Sequence, residues 1–373
     1  MIEILNFSRA ISRNIPKLWS KLKQIRQAQV TPKWLTSILI KNGFLSKGKV
    51  TSIEQEISKS FGSTITSTFS SLKVNYSQES LGILPSKILI KMIKPEFYDR
   101  GQKEVNFYDA VLNTKTPLPL MTCYGTEKSP ETKQSYILLD DLTHTHYQTK
   151  WPLPPAQDQC KEAITVLAKM HAYWWNHSSF GEPIFEIPSE EGVRKRFQQV
   201  EKLFPQFVNF LGDRLSEKRK KTYDLVFEKL PELLWSRPSS PKRLTLIHGD
   251  AHYWNFLFPR NKEENQCVII DWQSWGIGVG AIDLSYMIAL HWYPERRQRM
   301  EQPLLKFYLE EMQKQHIDYV WNDFWTDYRV SVIFNLLIPV FQHSMLDLHP
   351  AIWWPHLERG FAAFEDLNCL EFL

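Results

Sequence analysis

Two short apolar stretches that each break into polar turns constrain this chain most. "LTLIHGDAHYWN" runs from 244 to 255 and "CVIIDW" from 267 to 272. They place Asp250, then Asn255 five residues on, then Asp271 twenty-one residues after the first. Taken singly, such residues satisfy backbone groups in turns. Taken together, two carboxylates and an amide where apolar strands end are also the parts of a metal and proton-transfer site.

Phosphoryl transfer asks a protein for few things. A carboxylate orients or deprotonates the acceptor hydroxyl, hard oxygen ligands hold Mg²⁺ on the phosphates, and a cation anchors the nucleotide. A base, an Asn five residues later and then a metal-binding Asp is the order of a kinase-type catalytic loop. Asp250, Asn255 and Asp271 follow that order. Upstream, "SKILIKMI" (86 to 93) reads as a strand holding Lys91. "GQKEVNFYDAVL" reads as a helix, with Val105, Tyr108 and Leu112 at helical spacing and Glu104 among them. A strand lysine followed by a helix glutamate is the pair that points an ammonium at the α- and β-phosphates.

The rest of the chain divides around this pattern. At 373 residues it exceeds one typical core, so two lobes are expected. "TPKWLTSILIKNGF" starts a helix with Thr31 as cap and Pro32 at the first position. Residues 50 to 76, "SKILIKMI" and "SYILLDDL" (135 to 142) supply strands. "WPLPPAQ" (151 to 157) marks a boundary, and the chain beyond it is mainly helical. The expected fold class is α+β: a protein-kinase-like two-lobed fold with a small antiparallel-sheet N-lobe and a mainly helical C-lobe. Its expected parts are a basic extension (1–30), an ATP-binding N-lobe (31–142), a hinge (143–156) and a catalytic C-lobe (157–373).

"LIHGDAHYWNFLF" and "VIIDWQSWGIGVGAIDLSYMIAL" resemble the aminoglycoside phosphotransferase and choline kinase superfamily. "TPKWLTSIL", "ILIKMIKP", "KEVNFYDAV", "YILLDDL", "LAKMHAYWW" and "FWTDYRV" are similar to its ecdysteroid-kinase-like branch and bacterial relatives. The resemblance covers about residues 31 to 330. It implies that Asp250 is the catalytic base, that Asn255 and Asp271 bind Mg²⁺ (or Mn²⁺), and that Lys91 with Glu104 anchors ATP. It further implies an adenine-holding hinge at Leu139, Asp140, Asp141 and Leu142, and a structural Asp283 bracing the catalytic loop. The phosphate loop departs from the pattern. "SFGST" has Gly62 alone where two glycines are usual, with Ser63 and Thr64 beside it as added donors.

Other signals narrow the function. Gly249 stands where a protein kinase carries the Arg that reads a phosphorylated activation loop, and only twelve positions separate Asp271 from Asp283. No "APE"-like segment follows. The expected acceptor is therefore a small molecule offering a hydroxyl, an N-hydroxyl or an amine; a non-catalytic nucleotide-binding protein of the same fold is the alternative. Gly276, Gly278 and Ala281, with Glu295 further on, fit a dinucleotide fingerprint, but no βαβ series surrounds them. Six basic residues against Glu3 in the first thirty positions exceed the whole net charge of +4, so the body has no basic excess for nucleic acid. Cys123, Cys160, Cys267 and Cys369 make no zinc-like spacing, and no apolar run is long enough to span a bilayer. A cytoplasmic protein is expected. His171, His248 and His252 are read as structural, and the tryptophans of "AYWW" and "IWWP" as core.

Overall fold

The computed structural model describes residues 30–57, 66–112, 118–236 and 243–373. The basic extension and the loop residues Gly62, Ser63 and Thr64 lie outside these. The described residues form two compact units. The first takes residues up to Lys94 with Cys123–Glu127 and Tyr136–Asp141, and the second takes the remainder.

The first unit is a helix on a sheet. Helix α1 (Pro32–Lys41) begins as the sequence predicts: the Thr31 side chain accepts the Trp34 N–H at 3.2 Å, and Pro32 occupies the first turn. Strands β1 (Leu45–Lys47) and β4 (Leu81–Gly82) form a small ladder. A five-stranded sheet has the order β2 (Val50–Ile57), β3 (Ser67–Tyr76), β5 (Lys87–Ile93), β7 (Gln134–Asp140), β6 (Cys123–Ser129). β2, β3 and β5 pair antiparallel. Side chains alternate across a strand. Leu72 and Val74 of β3 and Ile88 and Ile90 of β5 therefore join Leu35 and Leu39 of α1 in one core. Leu89, Lys91 and Ile93 take the opposite face.

The second unit is mainly helical. Helix α2 (Tyr98–Val111), read from sequence as part of the small sheet region, clusters here. The unit continues with α3 (Gln157–Tyr173), α4 (Glu190–Leu211) and α5 (Glu217–Ser236). Short strands follow: β8 (His146–Tyr147), β9 (Thr245–Ile247), β10 (Phe256–Pro259), β11 (Val268–Ile269) and β12 (Gly276–Gly278). β10 pairs antiparallel with β8 and β11, and β12 with β9. Gly276 and Gly278 thus sit in an antiparallel strand, which disposes of the dinucleotide fingerprint. Helices α6 (Ala281–Ser285), α7 (Pro294–Lys314), α8 (Trp321–Asn335), α9 (Leu337–Ser344) and α10 (Pro350–Asp366) complete the unit. The apolar run "VSVIFNLLIPVF" is split between α8 and α9. Among the described residues no helix is long and apolar enough to cross a membrane. All four cysteines are buried, and none forms a disulfide.

Candidate active site

The short ladder of β10 and β11 explains how Asn255 and Asp271 come together. Phe256 pairs with Ile269 and Leu257 with Val268, so the residue before β10 and the residues after β11 meet at one end. The Ile270 N–H closes that end on the Asn255 carbonyl at 2.9 Å. Asn255 is buried, and its Nδ2 donates to the Asp250 carbonyl at 2.9 Å. Nδ2 also lies 3.5 Å from Asp250 Oδ2. With the amide nitrogen so committed, Oδ1 is the atom this side chain has for a ligand role. Asp271 has φ 67° and ψ 62°, a left-handed backbone uncommon outside glycine, and it opens the turn Trp272–Ser274. Gln273 Nε2 donates to its Oδ2 at 3.2 Å.

The loop that carries Asp250 is held from beneath by a buried carboxylate. Asp283 accepts the His248 N–H at 2.7 Å, the Gly249 N–H at 2.9 Å and His171 Nε2 at 3.1 Å. Burial alone would raise its pKa. The hydrogen bond and charge of His171, with His248 beside it, hold it below the usual carboxylate range. His171 Nδ1 in turn meets the Tyr308 hydroxyl at 2.9 Å. Gly280 permits this packing: a Cβ there would lie 2.6 Å from the Tyr308 hydroxyl and 2.7 Å from His171 Nδ1. The bracing role expected of Asp283 is thus visible as two backbone hydrogen bonds.

His248 is structural, and its partners fix its tautomer. Nδ1 accepts the Asp250 N–H at 3.2 Å, so it carries no proton, and Nε2 donates to the Ile270 carbonyl at 2.9 Å. Burial holds its pKa down despite nearby Asp283 and Asp250. The ring meets Trp272 edge-on at 4.7 Å, and Trp272 stacks on Phe107 of α2 at 3.9 Å. Lys103 Nζ donates to the Trp275 carbonyl at 2.8 Å, and Trp275 Nε1 donates to the Lys103 carbonyl at 2.6 Å. The helix carrying Glu104 is therefore joined to the turn after Asp271.

Asp250 itself is partly exposed. Oδ1 accepts the Tyr286 hydroxyl at 2.8 Å, and Oδ2 lies 3.7 Å from His252 Nε2. Tyr286 escaped the sequence reading. The signal was its place three residues after Asp283, on the same helical face. Trp353 packs in the core between Phe207 and Phe210, and Trp174 beside Phe185.

The expected nucleotide contacts fall on both units. Lys91 is buried on the face of β5 away from α1, with its ammonium 5.6 Å from the Phe69 ring. Leu139 is buried; Asp140 accepts from the Tyr124 hydroxyl at 3.4 Å, and Asp141 from the Ser71 hydroxyl at 2.6 Å. Leu142 falls in the second unit, with its carbonyl bonded to the Thr145 N–H at 3.1 Å. Glu104 is buried on α2.

Among the described residues no three His, Cys, Asp or Glu side chains gather as a metal-binding set. Mg²⁺ does not need one, since it is commonly held by one or two protein oxygens with phosphate and water completing the octahedron. Asp271 and Asn255 offer a donor set of that kind.

The model of the ecdysteroid kinase-like family matches residues 87–320, which spans Lys91, α2, the loop of Asp250 and α6. The chain belongs to this family. No curated protein gives a match. Solved structures share the fold at low identity. A protein from Ralstonia eutropha JMP134, assigned as an aminoglycoside phosphotransferase, is 14% identical. It aligns over 91% of this chain and 98% of its own, with a TM-score of 0.55. Choline kinase from Cryptosporidium parvum Iowa II is 13% identical over 91% and 94%, with a TM-score of 0.52. Plasmodium vivax ethanolamine kinase is 14% identical over 86% and 84%, with a TM-score of 0.50. The chain thus has the two-part α+β fold of these kinase-like proteins, a small sheet unit and a helical one.

Proposed function

We propose that the protein is an ATP-dependent phosphotransferase that moves the γ-phosphate to a hydroxyl (or an N-hydroxyl or amine) of a small molecule. The observation that carries this reading is the meeting of the Asp250 loop, clamped by Asp283, with Asn255 at the end of the β10–β11 ladder from which Asp271 follows, in a chain of the ecdysteroid kinase-like family. Asp250 accepts the proton of the acceptor. Asn255 and Asp271 hold Mg²⁺, which when bound neutralises phosphate charge. Lys91, paired with Glu104, anchors the α- and β-phosphates. Gly62, Ser63 and Thr64 cradle phosphate through backbone N–H groups, and residues 139–142 form the hinge that holds adenine. The fold neighbours described as choline and ethanolamine kinases and as an aminoglycoside phosphotransferase favour a small acceptor.

A screen of hydroxylated metabolites with ATP and Mg²⁺, read by mass spectrometry for an added phosphate, tests the reading. Asp250→Asn is expected to lose at least 100-fold in turnover, within the usual range for a general base, while still binding ATP. A folded Asp250→Asn protein that turns over normally would refute the assignment.

A further inference from the structure

The Asp250 carboxylate is held unequally at its two oxygens. Oδ1 accepts a hydrogen bond of ordinary length, 2.8 Å, from the buried Tyr286 hydroxyl. Oδ2 lies 3.5 Å from Asn255 Nδ2 and 3.7 Å from His252 Nε2, at or beyond the limit of a useful hydrogen bond. A buried phenol needs a partner, and most find a backbone carbonyl or water. Here the partner is the carboxylate placed to act as base.

The phenol is itself anchored. Tyr286 opens a π-helical turn (Tyr286–Leu290) that continues α6, and its carbonyl accepts His291 Nδ1–H at 2.8 Å. The His291 ring meets the Tyr286 ring edge-on at 4.9 Å, and His356 backs His291 at 4.7 Å. His356 Nδ1 donates to Gln342 Oε1 at 2.8 Å. Burial, with Arg359 nearby, lowers the pKa of both imidazoles. π-Turns inserted in helices are frequent at functional sites, because the extra residue re-aims the side chains around it. Here one helical segment serves both parts of the base. Asp283 fixes the loop backbone, and Tyr286, three residues on, fixes the carboxylate.

We propose that Tyr286 is a positioning residue for phosphotransfer, holding Oδ1 of Asp250 so that Oδ2 is presented to the acceptor. The proposal rests on the phosphotransferase reading. In the step it serves, the acceptor O–H proton passes to Oδ2. The acceptor oxygen's electron pair forms the new bond to the γ-phosphorus, and the bond to the β,γ-bridging oxygen breaks to leave ADP. Without the phenol the carboxylate is free to rotate, and Oδ2 loses its fixed aim.

Tyr286→Phe removes one hydroxyl and keeps the ring. Turnover is measured with MgATP and water as acceptor, and with any hydroxylated metabolite that the screen identifies. ATP affinity is measured by calorimetry, and crystal structures of both proteins are compared. The expected result is a fall of about tenfold in kcat, ATP affinity within twofold of the parent, and a rotated Asp250 carboxylate. An unchanged kcat overturns the proposal. So does a loss of ATP affinity in step with kcat, since the phenol would then act through the nucleotide. A parent protein that binds no ATP refutes the phosphotransferase reading instead. Should the parent bind ATP without measurable turnover, the crystal structures decide: an Asp250 rotamer unmoved by Tyr286→Phe overturns the proposal.

Discussion

Gly249 shows how much one backbone position constrains the site. Its φ is 77°, and a Cβ there would lie 2.3 Å from the Ser274 carbonyl oxygen. In the sequence its meaning was negative, as a missing Arg. In the structure it is the point where the loop of Asp250 presses on the turn after Asp271, and no side chain fits between them. A left-handed backbone costs a non-glycine residue about 1–2 kcal/mol, and the clash with a carbonyl adds to that. Gly249→Ala is therefore expected to lower unfolding free energy by at least about 2 kcal/mol. It should also cut turnover severely, because Asp250 must shift with its neighbour. Denaturant unfolding and an ATP-dependent assay check this, and an Ala variant as stable and active as the parent would contradict it. The order of Asp250, Asn255 and Asp271 was legible because it is local: the three fall within 22 residues. Tyr286 and Gly280 were not, since their partners lie 36 and 28 positions away at Asp250 and Tyr308 and no periodicity reports them.

At the scale of elements, legibility followed length and repetition. The cap of α1 and the alternation of β5 were readable because each is a repeated or stereotyped signal. Strands β10 and β12 have four and three residues, too few for a period, and tertiary pairing alone defines them, whereas β11 was marked by the apolar run of "CVIIDW". The apolar run from 330 to 341 is divided at Leu336 into α8 and α9. The packing of α2 was also unreadable, and it matters for the site. Phe107 lies three residues after Glu104, so both project from neighbouring positions of one helix. Its ring stacks on Trp272, the residue after Asp271, with an interplanar angle of 9°. Both rings are fully buried. Phe107→Ala should destabilise the protein by about 3–5 kcal/mol, the usual cost of emptying a buried aromatic site. It should also weaken Mg²⁺-dependent ATP binding, because the turn that holds Asp271 loses its support. Equilibrium unfolding and calorimetry with and without Mg²⁺ test the two effects separately. Destabilisation with normal Mg²⁺-dependent affinity would confine the stack to a packing role.

At the scale of the whole molecule, burial of uncharged histidines ties stability to pH. His356 is buried, and burial, with Arg359 and His252 nearby, pushes its pKa down to about 3. His291 is held well below its ordinary value by burial and by His356 and His252, and burial also lowers His248. In the unfolded chain each would titrate near 6.5. The sign follows from proton counting. Above about pH 6.5 both states are neutral and these groups contribute no pH dependence. Between about 6.5 and 3 the unfolded state binds protons that the folded state refuses, so stability falls as pH falls through that window. Each such histidine adds a slope of up to about 1.4 kcal/mol per pH unit. The buried Asp283 carboxylate, held below its usual range, extends the loss further into acid. The protein is therefore expected to lose stability from pH 6.5 to 4.5 more steeply than its exposed groups explain. His356→Gln removes one titrating site from the buried row while keeping a polar side chain opposite Gln342. It should reduce the slope by about one proton, whatever it does to stability at pH 7.5. Urea unfolding of both proteins at half-unit pH steps measures this, and parallel slopes would mean that His356 is not held neutral in the fold.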